Sequence, residues 1–119
     1  MFKQIFHLGI AVRNIEESLK LYHDIFKMEF SGIEELPQAG VKVALLKIGE
    51  TRLELLEALS PESPIAKFIE KHGPGFHHIA YRVEDIEKAI SVLKNSGCTL
   101  LDDKPRQGAH NTRIAFIHP

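Results

Sequence analysis

Two histidines 71 residues apart carry the chemistry this chain is equipped for. His7 sits in Phe6-His-Leu-Gly-Ile-Ala-Val12, and His78 sits in Phe76-His-His-Ile-Ala-Tyr-Arg-Val83. At that offset Val12 falls on Val83, Ile15 on Ile86 and Glu16 on Glu87. Such self-similarity predicts two copies of one module, each opening on a histidine-bearing strand. If the copies pack face to face, the two imidazoles converge. Glu54 adds a carboxylate inside the apolar run Leu53-Glu-Leu-Leu56. A buried carboxylate is costly unless it is paired or bound to a cation. Two imidazoles and a carboxylate suit a divalent first-row metal, and cobalt, manganese, zinc and nickel fit them equally.

Other residues carry less. Strand alternation turns His77 to the face opposite His78, as a core group or a support for the site. His110 lies in the polar loop 102–112, where long loops contact substrates, so it is a substrate-binding candidate. Glu57 is a candidate proton-transfer group just after the fourth strand. His23 faces solvent on the first helix, and His72 stands at a helix C-terminus, where a cation suits the dipole. Cys98, the single cysteine, excludes an internal disulfide and reads as a buried thiol. There is no phosphate-cradling glycine loop, nucleophile elbow or zinc-finger spacing.

The elements that position these groups follow from periodicity. Residues 5–12 alternate as a strand, with His7, Gly9 and Ala11 on one face. The small members of that face leave room beside the imidazole. Asn14 and Glu17 form a capping-box pattern for a helix with Ile15, Leu19, Tyr22 and Phe26 inward, ending near Lys27. Strands follow at 28–33, 41–46 and 52–56, with turns at Pro37–Gly40 and Gly49–Thr51. Ser60–Pro64 is a linker, and Ser63 with Pro64 starts a helix with Ile65, Phe68 and Ile69 inward. The second module has a strand from Phe76 and a helix from about Glu84, with Ile86, Ala89, Ile90 and Leu93 inward. It continues with short strands at 99–101 and 113–117.

The fold expected is therefore α+β, with two βαβββ modules (1–59 and 75–119) joined by a linker helix (60–74). Their mixed sheet curls around one metal site in a single domain, 1–119. At the same offset the counterpart of the fourth strand lies beyond Pro119, so the second copy reads as one strand short, with its equivalent of Glu54 outside the chain.

Composition agrees with a globular domain: 119 residues, 44% hydrophobic, 26% charged, formal net charge −1. That balance favours neither nucleic acid nor a membrane surface, and no apolar run reaches membrane-spanning length. Met1–Gln4 runs straight into a strand, so no signal peptide is expected. With one cysteine, a cytoplasmic setting fits.

These residues resemble the vicinal oxygen chelate superfamily, in the glyoxalase fold, and within it the methylmalonyl-CoA epimerase family. The similar segments are His7–Val12, Gln38–Val41, Leu53–Glu57, Gly75–Ala80, Gly108–His110 and Arg113–Pro119. The resemblance implies His7, Glu54 and His78 as metal ligands. It implies an isomerase inverting C2 of an acyl-CoA by 1,1-proton transfer through a metal-stabilised enolate. The family's fourth ligand, a final-strand glutamate, has no match, and Val43 stands where some members carry a glutamate base. The catalytic acid and base are therefore unassigned. A glyoxalase I-like lyase or isomerase and a non-catalytic binding protein of the same fold are the alternatives. A homodimer is expected, since open strand edges invite pairing.

Overall fold

A computed structural model describes residues 1–118; Pro119, the last residue of the second expected module, lies outside the described residues. The chain forms two compact units, Ile5–Tyr81 and Met1–Gln4 with Arg82–Pro119.

The first unit holds most of a five-stranded mixed sheet. Its strands are β1 (Phe2–Ala11), β2 (Glu29–Leu36), β3 (Val41–Ile48), β4 (Thr51–Ala58) and β5 (Gly75–Val83), in the order β2-β3-β4-β1-β5. The β2-β3 and β3-β4 pairs are antiparallel, while β1 and β4 run parallel with Gly9 opposite Glu54. The expected strand, helix and three further strands of the first module are all present, each strand extending a few residues past its expected bounds.

One face of the sheet packs on a helix. Asn14 caps α1 (Ile15–Leu19), its side chain accepting the Glu17 N–H. Val12, Ile15, Ala44, Leu46, Leu53 and Leu55 form the core, with Leu8, Ile10, Leu19, Tyr22, Met28 and Phe30 around it. The even-numbered residues of β1 thus face the core, and His7, Gly9 and Ala11 face the other side of the sheet.

The helix does not continue as expected. Lys20–Ile25 forms a π-helix, in which the Phe26 N–H reaches back five residues to the Leu21 carbonyl at 2.8 Å. The wider turn rotates the face, so Phe26, expected inward, is 53% exposed and Ile25 is 68% exposed. His23 is exposed as expected and bonds the Met28 carbonyl at 2.7 Å. Helix α2 (Pro64–His72) starts on the Ser63 cap with Pro64 in its first turn, buries Ile65 and stops at Gly73.

In the second unit α3 (Ile86–Asn95) is capped by Asp85 and buries Ala89 and Ile90. Its strands are shorter than expected. The run 113–117 pairs only at β7 (Arg113–Ile114) with β6 (Arg106–Gln107), plus a bridge between Leu100 and Ile117. A side chain competes with the ladder here: the Asp102 carboxylate accepts the Phe116 N–H at 2.7 Å. Cys98 is exposed, contrary to expectation. Its N–H bonds the Leu93 carbonyl in the turn that ends α3 at Gly97, so Cys98 lies beyond the last turn of the helix.

Among the described residues no helix is long and apolar enough to cross a membrane.

Candidate metal centre

His7, Glu54, His77 and His78 come together in the first unit, on the sheet face away from the α1 core. Strand alternation puts His7 there, and the parallel register sets Glu54 beside Gly9, two residues along. His7 and Glu54 are 7% and 5% exposed, and His78 is half-buried. The His7 and His78 rings meet edge to face with their Nε2 atoms 2.8 Å apart. The ring of His78 fills the place of the side chain that Gly9 lacks.

Glu54 approaches His7 from the other side of its ring. Its Oε2 lies 3.4 Å from His7 Nδ1, which is buried and makes no hydrogen bond. The three candidate ligands are thus gathered but not closed around a point. Among the described residues no three His, Cys, Asp or Glu side chains are arranged to hold an ion.

Burial holds the imidazoles of the cluster neutral and makes the Glu54 carboxyl harder to ionise. Desolvation pushes His7 down to about 4, helped by the charge of Arg52. Desolvation, with His7 and His77 beside it, pushes His78 down to about 3, and burial also lowers His77. Desolvation raises Glu54 to about 7; Arg52 opposes this and the charge of Glu34 adds to it. Neutral imidazoles offer the lone pairs a divalent cation needs, and a buried carboxylate with a raised pKa gains most from one. The chemistry of these donors therefore fits a divalent metal.

Two expectations change on this geometry. Glu57 is not at the cluster. It leaves β4 on the core side, and its Oε1 accepts the Ile15 N–H at 2.7 Å, at the start of α1. The cause is alternation: three residues along a strand from Glu54, Glu57 must face the other way. His77 does not point away. Its Nδ1 lies 2.9 Å from His78 Nδ1, the rings nearly perpendicular. Alternation alone hides this contact. Gly73 and Gly75, with φ of 79° and 151°, lead into an unbroken β5, and no residue of the sequence signals the contact.

His110 belongs to the second unit, in a short 3₁₀ turn at Ala109–Asn111. Both His110 and Asn111 have left-handed backbones, φ 58° and 56°, a conformation that concentrates at ligand-contacting loops.

Comparison with known proteins agrees with this architecture. The model of the Glyoxalase/Bleomycin resistance protein/Dioxygenase superfamily matches residues 6–116, a span containing His7, Glu54, His78 and His110. The ethylmalonyl-CoA/methylmalonyl-CoA epimerase of Cereibacter sphaeroides is 37% identical, covering 100% of this chain and 90% of its own. The mitochondrial methylmalonyl-CoA epimerase of Mus musculus is 34% identical over 95% of this chain, which spans 64% of the mouse protein. A variant of Streptomyces coelicolor methylmalonyl-CoA epimerase, solved in complex with 2-nitronate-propionyl-CoA, superposes with a TM-score of 0.95 at 32% identity, covering 100% of this chain and 87% of that one. With the mixed sheet and this match across nearly its whole length, the chain belongs to the Glyoxalase/Bleomycin resistance protein/Dioxygenase superfamily.

Proposed function

We propose that this chain is a metal-dependent epimerase that inverts C2 of methylmalonyl-CoA by 1,1-proton transfer. The observation that carries the reading is the pair of repeat-equivalent imidazoles, Nε2 to Nε2 at 2.8 Å, with the buried Glu54 carboxylate beside them. The epimerase relatives and the acyl-CoA analogue complex support the substrate class.

His7, His78 and Glu54 would hold the cation as this chain's share of the site. When bound, a divalent cation supplies Lewis-acid polarisation of the thioester and carboxylate oxygens. The proton at C2 lies between two carbonyl groups and is acidic for that reason. Its removal leaves an electron pair delocalised into the thioester carbonyl, and return of a proton to the opposite face inverts the centre. The chain's own contribution is a cluster of neutral imidazoles with little water around them, which strengthens the electrostatic stabilisation of that charge. His110, on its left-handed turn, would contact the substrate. Val43, fully buried and apolar, has no proton to exchange. The reading includes a homodimer, a cytoplasmic setting and the two-module organisation joined through α2.

Deuterium wash-in at C2 of methylmalonyl-CoA tests the function. Protein loaded with Co²⁺ exchanges the proton well above the metal-only control. An exchange rate equal to that control, at full metal occupancy, would falsify the proposal.

A further inference from the structure

The His77 ring is held on two sides. Phe68 of α2 meets it edge-on, centroids 4.8 Å apart at 82°, and His78 meets it at 5.1 Å and 87°. Its Nδ1 is 2.9 Å from His78 Nδ1, too close for two bare lone pairs, so one proton lies between them. Likewise one proton lies between the Nε2 atoms of His7 and His78 at 2.8 Å.

A neutral imidazole has one N–H, so these two contacts constrain each other. If His78 donates from Nδ1 to His77, its Nε2 is a bare acceptor facing His7. If His77 donates instead, His78 carries its proton on Nε2 and offers no lone pair on that side. Only the first arrangement leaves His78 with a bare Nε2; it puts the shared proton on His7 Nε2, and for His7 to join a cation there that proton must move to its Nδ1, beside Glu54.

We propose that His77 is a positioning residue: its Nδ1 accepts the Nδ1–H of His78 and so fixes the tautomer and ring orientation with which His78 presents Nε2. Phe68 and α2 in turn fix His77, so the helix between the two expected modules holds the second histidine in place. This deepens the metal-centre reading above and rests on it. Histidine ligands generally donate their other N–H to an acceptor, and losing that acceptor costs about 10- to 100-fold in metal affinity.

The test uses the full chain and Co²⁺ alone. His77→Asn keeps an acceptor near the Nδ1 position, whereas His77→Gln, of similar bulk, moves it away. The Gln variant is expected to bind Co²⁺ about 10- to 100-fold more weakly, with an altered d–d spectrum, while the Asn variant recovers most of the affinity. In the metal-free protein, ¹⁵N NMR should find the His78 proton on Nδ1 in the wild type and the Asn variant, and shifted toward Nε2 in the Gln variant. Wild-type affinity in the Gln variant, equal weakness in both variants, or a wild-type His78 protonated on Nε2 would each overturn the role. Failure of the wild type to take up Co²⁺ would instead overturn the metal reading, and the tautomer measurement would still decide what His77 does to His78.

Discussion

The imidazole of His78 lies over the backbone of Gly9: a Cβ built on that glycine would come within 2.5 Å of His78 Nδ1. Gly9 has no positive φ, so close approach and not backbone freedom is what requires glycine here. The first strand thus contributes a ligand candidate at His7 and, two residues on, the recess that seats the other.

Gly9→Ala should therefore act on the site before it acts on the fold. One added methyl in a packed position costs about 1–3 kcal/mol. Here the side chain that must yield is His78. Thermal unfolding together with Co²⁺ titration checks this: a modest loss of stability with a large loss of Co²⁺ affinity is expected. Unchanged metal affinity would show that His78 does not use the recess when it binds a cation.

Glu54 should make the metal-free protein less stable as pH rises. Its folded pKa, about 7, lies above the ordinary 4.5, so the folded state holds the proton more tightly. Between those values folding takes up a proton, and stability falls with pH until the folded carboxyl ionises too. The full effect is about 3 kcal/mol by the pKa difference. Glu54→Gln should thus gain stability over the wild type at pH 8 and little at pH 4. Urea melts at both pH values decide it, and an equal difference at the two would refute the account.

His7 and His78 work in the opposite direction. Their folded values, about 4 and about 3, lie below the ordinary 6.5. The unfolded chain then binds protons the folded one refuses, so stability is lost as pH falls from 6.5 toward 4 and below. His7→Ala should blunt this acid sensitivity, read as a shallower fall in melting temperature between pH 7 and pH 4.5. The same variant should lose bound Co²⁺, counted per chain by elemental analysis.

Removing the Glu34 charge should let Glu54 ionise more easily, because that charge is one cause of its raised pKa. In Glu34→Gln, the ¹³C titration midpoint of the Glu54 carboxyl should move down from about 7. A midpoint that stays in place or rises would show that the two carboxylates do not interact.

Glu57 should prove to be structural. Its carboxylate accepts the Ile15 N–H where α1 begins. Losing such a cap costs about 0.5–2 kcal/mol. Glu57→Ala should lower stability by that amount and leave C2 exchange at the wild-type rate. A stable variant with abolished exchange would return Glu57 to the chemistry.

Local chemistry determined a good deal of this protein from its sequence alone. Alternation in β1 put His7, Gly9 and Ala11 on one face. Asn14, Ser63, Gly73 and Gly97 marked helix ends through interactions within a few residues. The repeat pairs His7 with His78. The tertiary structure decided what depends on partners far along the chain. The parallel β1-β4 register set Glu54 beside Gly9, and alternation from there sent Glu57 to cap α1. The Asp102 carboxylate took a ladder N–H from Phe116, and the expected strand at 113–117 shortened. His77 meets His78 with Phe68 packed edge-on against its ring, a contact that no two-residue periodicity encodes. Backbone period and capping are properties of neighbouring residues; which nitrogen meets which is settled only when distant elements pack.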